Sequence, residues 1–388
     1  MKYLKTYQLF EAKTGLAREQ ERFLNKCTKG TWTLNPATGL VDVDGDFDFS
    51  YGHVMSNYKR RLKSLQGVKF GKVRGNFSCS GNRLTSLEGA PQEVGGSFYC
   101  ADNGLTSLEG APQKVGGVFN CRDNNLTSLE GASQVIGADF FCMGNNLTSL
   151  EGAPQKVDGD FNCSKNNLTS LKGAPQVVSG TFNCDNNKLT SLEGAPQVVG
   201  GNYYCSNNNL TSLEGAPQKV RGWFSCGSNY LTSLEGAPQE VGGNFYCRYN
   251  YLTSLEGAPK EVGGEFNCKD NNLTSLVGAP QEVGVNFNHD EVNAFICDAF
   301  VSRRSKWNPN GWLEMLQKVS PEAQKLILTL LSAEFLNKEI ARDPAVMIMK
   351  LKPIWNDENF KKTRSNLVWP KGYEEEAGLV GDLDDVGF

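Results

Sequence analysis

Hydrophobic residues recur along the middle of the chain with a period of 21 residues, and ten consecutive units share one pattern. Counted from a cysteine at position 0, Phe or Tyr stands at −2, Leu at +5 and +8, and Val or Ile at +15. Such a period is typical of a repeat architecture. The units are numbered here as coils 1–10 by their cysteines: Cys79, Cys100, Cys121, Cys142, Cys163, Cys184, Cys205, Cys226, Cys247 and Cys268.

The alternation at −2 and 0 predicts a short β-strand in each coil, with the aromatic ring and the thiol facing inward. Leu at +5 and +8 and Val at +15 then point inward from the other sides of a closed coil. The return segment Glu-Gly-Ala-Pro-Gln-x-Val-Gly contains Gly and Pro and is too short for a helix, so turns and extended chain are expected there. Because one coil cannot bury its own apolar face, the coils are expected to stack around a shared core.

An asparagine stands at +3 in every coil, where the chain leaves the strand and backbone groups lose their ladder partners. An inward amide can donate and accept hydrogen bonds there, and stacked copies are expected to hydrogen-bond along the column. The predicted role is structural. This asparagine column comprises Asn82, Asn103, Asn124, Asn145, Asn166, Asn187, Asn208, Asn229, Asn250 and Asn271.

The two ends of the array depart from the repeat. Residues 8–28 are expected to form an amphipathic helix, followed by a strand over 41–49 and a degenerate coil. Beyond residue 289, N-cap and Pro signals with apolar residues at helical spacing predict about four helices. The predicted domains are therefore an N-terminal cap (1–46), a solenoid (47–289) and an α-helical C-terminal domain (290–388) with an acidic tail. That tail is either a peptide that docks on a partner or a solvated end.

The charge balance and the cysteine pattern exclude several classes of function. The net charge is −4 and the pI about 5.5, so no nucleic-acid partner is expected. No signal peptide or membrane-spanning run is recognised, which favours the cytosol or a particle assembled there. With two histidines and no Cys-x-x-Cys, neither a metal nor a cofactor is expected, and the cysteine column is interpreted as buried reduced thiols.

The sequence Phe-x-Cys-x-x-Asn-x-Leu-x-x-Leu resembles the core of leucine-rich repeats, with Phe and Cys in two of the Leu positions. The short unit with Pro in the return segment is similar to the bacterial-type subclass. More specifically, the Leu-Thr-Ser-Leu-Glu-Gly-Ala-Pro-Gln coils and the 32–46 segment resemble repeat proteins encoded by tailed bacteriophages and some bacteria. The resemblance covers about residues 30–289. It implies a leucine-rich-repeat solenoid and assigns no activity.

Variation between the coils is concentrated at the outward strand positions −3, −1 and +1 and at +2 and +4 beside them, whereas Thr, Ser and Glu at +6, +7 and +9 barely change. Tyr, Asn and Ser dominate at −1, which is the composition of binding paratopes. Aromatic residues and one arginine gather toward the C-terminal coils, as in interaction hot spots. The predicted binding residues are Tyr99, Phe141, Tyr204, Trp223, Tyr230, Tyr246, Arg248, Tyr249 and Tyr251.

These observations predict a non-enzymatic protein–protein interaction module that binds a host or phage protein through its strand face. Two alternatives stay open: a structural or decoration component of a virus particle, and a receptor-like protein that binds glycans. The expected location is the host cytosol or the virion. The sequence leaves the oligomeric state undetermined.

Overall fold

The computed structural model describes residues 15–51, 61–273 and 278–288, which form a parallel β-solenoid of stacked 21-residue coils. The C-terminal domain expected over 290–388 lies outside the described residues, and so does the start of the helix expected over 8–28. The three predicted domain boundaries therefore stay predictions.

A helix and an antiparallel β-hairpin precede the coils. Helix α1 (Arg18–Cys27) leads into β1 (Thr28–Leu34), which pairs along its whole length with β2 (Val41–Asp48). Phe23 of α1 packs against the rings of Phe47 and Phe49, with centroid distances of 5.4 and 5.3 Å. The expectation of a helical cap is thus not supported as stated: α1 is the one helix in the described part of the chain, and strand β2 pairs with strand Phe77–Ser78 of the first coil.

Each coil contributes a two-residue strand that begins at the aromatic residue at −2, and successive strands pair in parallel with identical register. The aromatic rings stack along the core at centroid spacings of 5.0–5.7 Å in coils 1–10 and beyond to Phe287. The strands of this first sheet are β4 (Phe77–Ser78), β6 (Phe98–Tyr99), β8 (Phe119–Asn120), β10 (Phe140–Phe141), β12 (Phe161–Asn162), β14 (Phe182–Asn183), β16 (Tyr203–Tyr204), β18 (Phe224–Ser225), β20 (Phe245–Tyr246), β22 (Phe266–Asn267) and β24 (Phe287–Asn288).

A second column of strands runs beside the first and ends at the Val or Ile of position +15. The repeat pattern predicted only extended chain here, because a two-residue segment carries no alternation from which pairing could be inferred. The strands are β3 (Phe70–Val73), β5 (Glu93–Val94), β7 (Lys114–Val115), β9 (Val135–Ile136), β11 (Lys156–Val157), β13 (Val177–Val178), β15 (Val198–Val199), β17 (Lys219–Val220), β19 (Glu240–Val241), β21 (Glu261–Val262) and β23 (Glu282–Val283). Because β2 pairs with both β3 and β4, it joins the two columns at the N-terminal end.

The second column divides between β9 and β11 in the described structure. The division falls at coil 3, where Ser133 replaces the proline that stands at this position in the other coils. Ser133 is buried, and its hydroxyl donates a hydrogen bond to the carbonyl of Pro112 one coil earlier. A single change in the return segment therefore coincides with the one interruption of this column.

The apolar positions of the repeat form one continuous core, as the pattern predicts. In coils 1–9 the side chains at −2, 0, +5 and +8 are at most 1% exposed. The glycine at +10 has φ between 84° and 92° in all ten coils, a conformation that disfavours other residues. At Gly173 an added Cβ would lie 2.6 Å from backbone atoms of Leu150. Coil stacking thus depends on this glycine for both conformation and space.

The asparagine column lies inside the stack, and its hydrogen bonds run to the backbone. Asn166 is representative: its Nδ2 donates to the carbonyls of Cys163 and Cys142, both at 3.1 Å. Its Oδ1 accepts the amide of Leu147 at 3.0 Å. One side chain therefore bonds its own coil and the preceding one through the backbone. These bonds take the place of the amide-to-amide hydrogen bonds expected from the sequence.

Candidate binding surface

The outer side of the first sheet carries the positions that vary between coils. Side chains at −1 are mostly half-buried against their neighbours, whereas those at +4 are mostly exposed. In coils 7 and 8 the outward positions hold aromatic, Asn, Ser and Gly residues and no charged ones. Coils 7 and 8 therefore form an uncharged part of the strand face, whereas the other coils mostly carry charged residues at these positions.

Seven of the nine predicted binding residues come together over coils 7–9. We call this group the aromatic patch; its members are Tyr204, Trp223, Tyr230, Tyr246, Arg248, Tyr249 and Tyr251. Trp223, Tyr230, Tyr249 and Tyr251 are 44–55% exposed, and they make up half of the large hydrophobic side chains that are exposed in the described chain. Large aromatic groups left in water at one place are typical of an interaction site.

The aromatic patch contains two pairs of rings with different geometries. Trp223 and Tyr246 meet edge to face with centroids 6.1 Å apart, and the Tyr246 hydroxyl accepts a hydrogen bond from Asn244 Nδ2 at 2.6 Å. Tyr230 and Tyr251 are nearly parallel, with an interplanar angle of 6° and centroids 6.0 Å apart. Because these rings support one another, much of the side-chain entropy that binding would cost is already lost in the free protein.

Arg248 lies at the C-terminal end of the aromatic patch. Its guanidinium lies 5.0 Å from the centroid of the Tyr249 ring, and Nη2 donates to the Tyr249 hydroxyl and to Asp270, both at 3.2 Å. The buried Nε has no hydrogen-bond partner among the described residues. The side chain of Arg248 is otherwise partly exposed, so the guanidinium keeps part of its positive charge on this surface.

Trp223 occupies a position that elsewhere stabilises the stack. In six other coils the side chain at −3 belongs to a second ladder, in which an Asn, Asp or Ser oxygen accepts the backbone amide of the next coil, as Asp139 does from Asp160 at 2.8 Å. The Trp223 amide is itself held in this way by Asn202 at 2.8 Å. The indole is a donor only, so it offers no oxygen to the following coil. Trp223 thus gives up a structural hydrogen bond at this position.

Tyr249 has an unfavourable backbone conformation. Position +2 is left-handed in every coil, with φ between 52° and 73°, and Gly, Asp or Asn fills it in seven of the ten. Tyr249 has φ 55°. For a bulky residue this conformation costs about 1–2 kcal/mol. Tyr249 is therefore a strained residue whose aromatic side chain is 55% exposed.

Small residues form the floor between the rings. Coil 8 presents Ser225, Gly227 and Ser228 at −1, +1 and +2, between Trp223 at −3 and Tyr230 at +4. The Ser225 hydroxyl shares a 2.8 Å hydrogen bond with Ser206 of coil 7. The surface of coil 8 is therefore low in the middle and bordered by large rings, an arrangement that sequence analysis by columns missed.

A carboxylate with an altered pKa stands at +1 in coil 6. Burial raises the pKa of Asp185 from 3.8 to about 6, although its Oδ1 accepts the amide of Ser206 at 2.6 Å. The pKa of the neighbouring Tyr204 is also raised, first by burial and then by the charge of Asp185. Ionisable groups with perturbed pKa values are often functional. Sequence analysis did not single out Asp185, because its burial depends on neighbouring coils.

The other two predicted binding residues lie apart from the aromatic patch. Phe141 is in coil 4 and Tyr99 in coil 2, so at about 5 Å per coil they stand about 15 and 25 Å from Tyr204. Both are half-buried. They share the strand face with the aromatic patch and do not form one site with it.

The remaining surfaces are charged or sparsely apolar. Lys172, which interrupts the glutamate column at +9, pairs with Glu151 at 2.8 Å, and this contact raises the pKa of Lys172. Val135 and Val198 are exposed on the second column of strands. Neither feature has the density of aromatic residues seen in coils 7–9.

The cysteine column is buried and reduced in coils 1–10. Burial raises the pKa of the thiols in coils 1–9 well above the usual range, and several cysteines donate weakly to a carbonyl of the next coil, as Cys184 does to Tyr204 at 3.2 Å. Within the described ranges no group of His, Cys, Asp and Glu could hold a metal ion, and no helix is long and apolar enough to cross a bilayer.

No protein-family model matches the chain, and no curated protein matches it. Among solved structures the chain is similar to YopM from Yersinia enterocolitica WA-314, with a TM-score of 0.36 and 17% sequence identity. That match covers 57% of this chain and 63% of YopM, less than two thirds of its length. A likeness at this level supports no conclusion about function, which rests on the geometry above.

Proposed function

We propose that the chain is a leucine-rich-repeat protein of the bacterial and bacteriophage type that binds another protein through the strand face of coils 7–9. The stacked coils serve as a rigid scaffold, and the aromatic patch supplies the contact. No catalytic role is assigned to any residue. Two further parts of this proposal rest on the sequence alone. They are the location of the protein, in a host cytosol or a virus particle, and the helical domains at the ends of the chain.

One observation supports the proposal most strongly: the aromatic patch is costly to the free protein. Tyr249 is held in a left-handed conformation, and Trp223 replaces a ladder acceptor. A surface that had merely drifted would lose such residues, since either replacement by the repeat consensus would stabilise the fold. Proteins keep costly exposed aromatic residues where they anchor a partner.

A binding experiment with matched variants tests the proposal. The wild-type chain and a Tyr204→Ala, Trp223→Ala, Tyr246→Ala triple variant are immobilised, and proteins retained from a lysate of infected bacteria are quantified by mass spectrometry. A partner that depends on the aromatic patch should fall at least tenfold in the triple variant. A Val135→Ala, Val198→Ala variant, altered on the other column of strands, is the control and should retain the partner.

The proposal is abandoned if every retained protein survives the triple substitution. Circular dichroism and urea unfolding of each variant must show an intact fold, because Tyr204 and Tyr246 are half-buried. Binding of the wild type to a glycan array, lost in the triple variant, would instead favour the glycan-binding alternative, which the exposed rings also permit.

A further inference from the structure

The +1 positions of coils 6–9 form a column with opposite charges at its ends. From coil 6 to coil 9 the column reads Asp185, Ser206, Gly227 and Arg248. The coils are in register here, since the amides of Asn207 and Ser228 bond the carbonyls of Gly227 and Arg248 at 2.9 and 2.8 Å. A carboxylate and a guanidinium thus stand three coils apart, about 15 Å, with only small side chains between them.

The surroundings of this column match an extended chain lying along the solenoid axis. Ser206 and Gly227 leave the middle of the column low, and the rings of Tyr204, Trp223 and Tyr230 border it. An extended peptide advances about 3.3 Å per residue, so about four residues span the distance from Asp185 to Arg248. An apolar residue at the middle of that segment would lie over Ser206 and Gly227, between the rings.

We infer that the +1 column of coils 6–9 binds an extended peptide segment of a partner protein, with a basic residue at Asp185, an apolar residue over Ser206 and Gly227 and an acidic residue at Arg248. This inference rests on the proposed function and specifies its partner. The charges set the register of the segment, and the rings supply most of the contact area.

Both charged groups are already held in place. Asp185 accepts the Ser206 amide, which orients its carboxylate along the column. Arg248 contacts the Tyr249 ring and forms an exposed ion pair with Asp270. Such a pair contributes little to stability, so a carboxylate of the ligand can take the place of Asp270. A peptide with two acidic residues would place one of them beside Asp185, and a peptide with two basic residues would place one beside Arg248.

The test uses four pools of fluorescein-labelled heptapeptides whose three central positions are randomised. Positions 2 and 6 of each peptide, which are four residues apart, define the pool. They are Lys and Glu in the first pool, Lys and Lys in the second, Glu and Glu in the third, and Gln and Gln in the fourth. Binding to the full-length protein is followed by fluorescence anisotropy. The wild type should bind the Lys/Glu pool about fivefold more tightly than the Gln/Gln pool and more tightly than either like-charged pool.

A charge reversal in the protein then makes the prediction specific. Arg248→Glu makes both ends of the column acidic, and its preference should change to the Lys/Lys pool. Asp185→Asn should lose the preference for lysine and keep that for glutamate. Arg221→Glu, the same substitution at an exposed corner of coil 8, is the control and should keep the wild-type order.

Equal binding of all four pools, no binding of any pool, or an unchanged order in Arg248→Glu would overturn this inference. The lysate experiment separates such a failure from failure of the proposed function. If a partner is lost in the triple alanine variant while the peptide pools show no preference, the aromatic patch binds a protein by another mode. If neither experiment shows dependence on coils 6–9, both proposals fail.

Discussion

Tyr249 shows at the level of one residue how stability and binding compete in this protein. Its left-handed backbone suits Asn, which occupies the same position as Asn186 and Asn207 in coils 6 and 7. Replacing the tyrosine relieves about 1–2 kcal/mol of backbone strain and removes a cation–π contact worth about 0.5–1 kcal/mol.

Tyr249→Asn should therefore raise the free energy of unfolding by about 0.5–1 kcal/mol while weakening partner binding. Urea unfolding with an unchanged m-value measures the first effect, and the lysate experiment measures the second. Asn207→Tyr, the reverse change at an equivalent position, should destabilise the fold. A less stable Tyr249→Asn protein would show that the strain interpretation is wrong.

Asp185 connects a single carboxyl group to the pH dependence of stability. Its pKa is about 6 in the folded protein, above the ordinary 3.8, so the folded state binds this proton more tightly than the unfolded state. The ionised group therefore costs stability above pH 6, and the cost disappears as the pH falls toward 4.

Asp185→Asn keeps an oxygen for the Ser206 amide and removes the charge. At pH 7.5 the variant should be more stable than the wild type, by on the order of 2 kcal/mol, and the difference should shrink steadily between pH 6 and pH 4. Thermal or urea unfolding across this pH range is the measurement. A difference that is independent of pH would rule out burial of the charge as the cause.

At the scale of the coil, the glycine at +10 allows neighbouring units to approach each other. Gly173 has φ 86°, and an added Cβ would lie 2.6 Å from Leu150 backbone atoms, which cannot move without disturbing the stack. Conformation and space therefore both oppose substitution at this position.

Gly173→Ala should lower the free energy of unfolding by about 2–3 kcal/mol. Gly104→Ala is the matched control, because its φ is not positive and its added Cβ would make an ordinary 3.4 Å contact with Leu84. That variant should be neutral or slightly more stable. Equal effects of the two substitutions would contradict the structural account of the glycine at +10.

At the scale of the whole molecule, the thiol column reports on the integrity of the stack. Eleven cysteines are buried in the described chain, and burial raises the pKa of ten of them. A buried thiol that does not ionise is a poor nucleophile.

Alkylation of the native protein with iodoacetamide at pH 8 should leave these eleven cysteines unmodified, and unfolding in urea should expose all of them together or in blocks of adjacent coils. Mass spectrometry of tryptic peptides assigns each site. Rapid modification of a coil cysteine in the native protein would mean that the stack opens there. The division at coil 3 is the place to look first.

The repeat pattern was sufficient to predict much of this architecture. A period of 21 with inward Phe, Cys, Leu and Val can bury its apolar residues only as a stack, so the first sheet, the core and the place of the asparagines follow from it. The concentration of variation on one face is also visible in the sequence, and it predicts Trp223 and Tyr249 as surface residues of the strand face.

Other features arise only when coils meet. The second column of strands depends on pairing between residues 21 positions apart, and two-residue strands leave no local alternation to predict it. The floor at Gly227 likewise depends on residues of neighbouring coils. Tertiary structure also decided the raised pKa of Asp185. Sequence periodicity fixes which side chains face inward, whereas burial, charge and proximity on the outer face depend on the packing of successive coils.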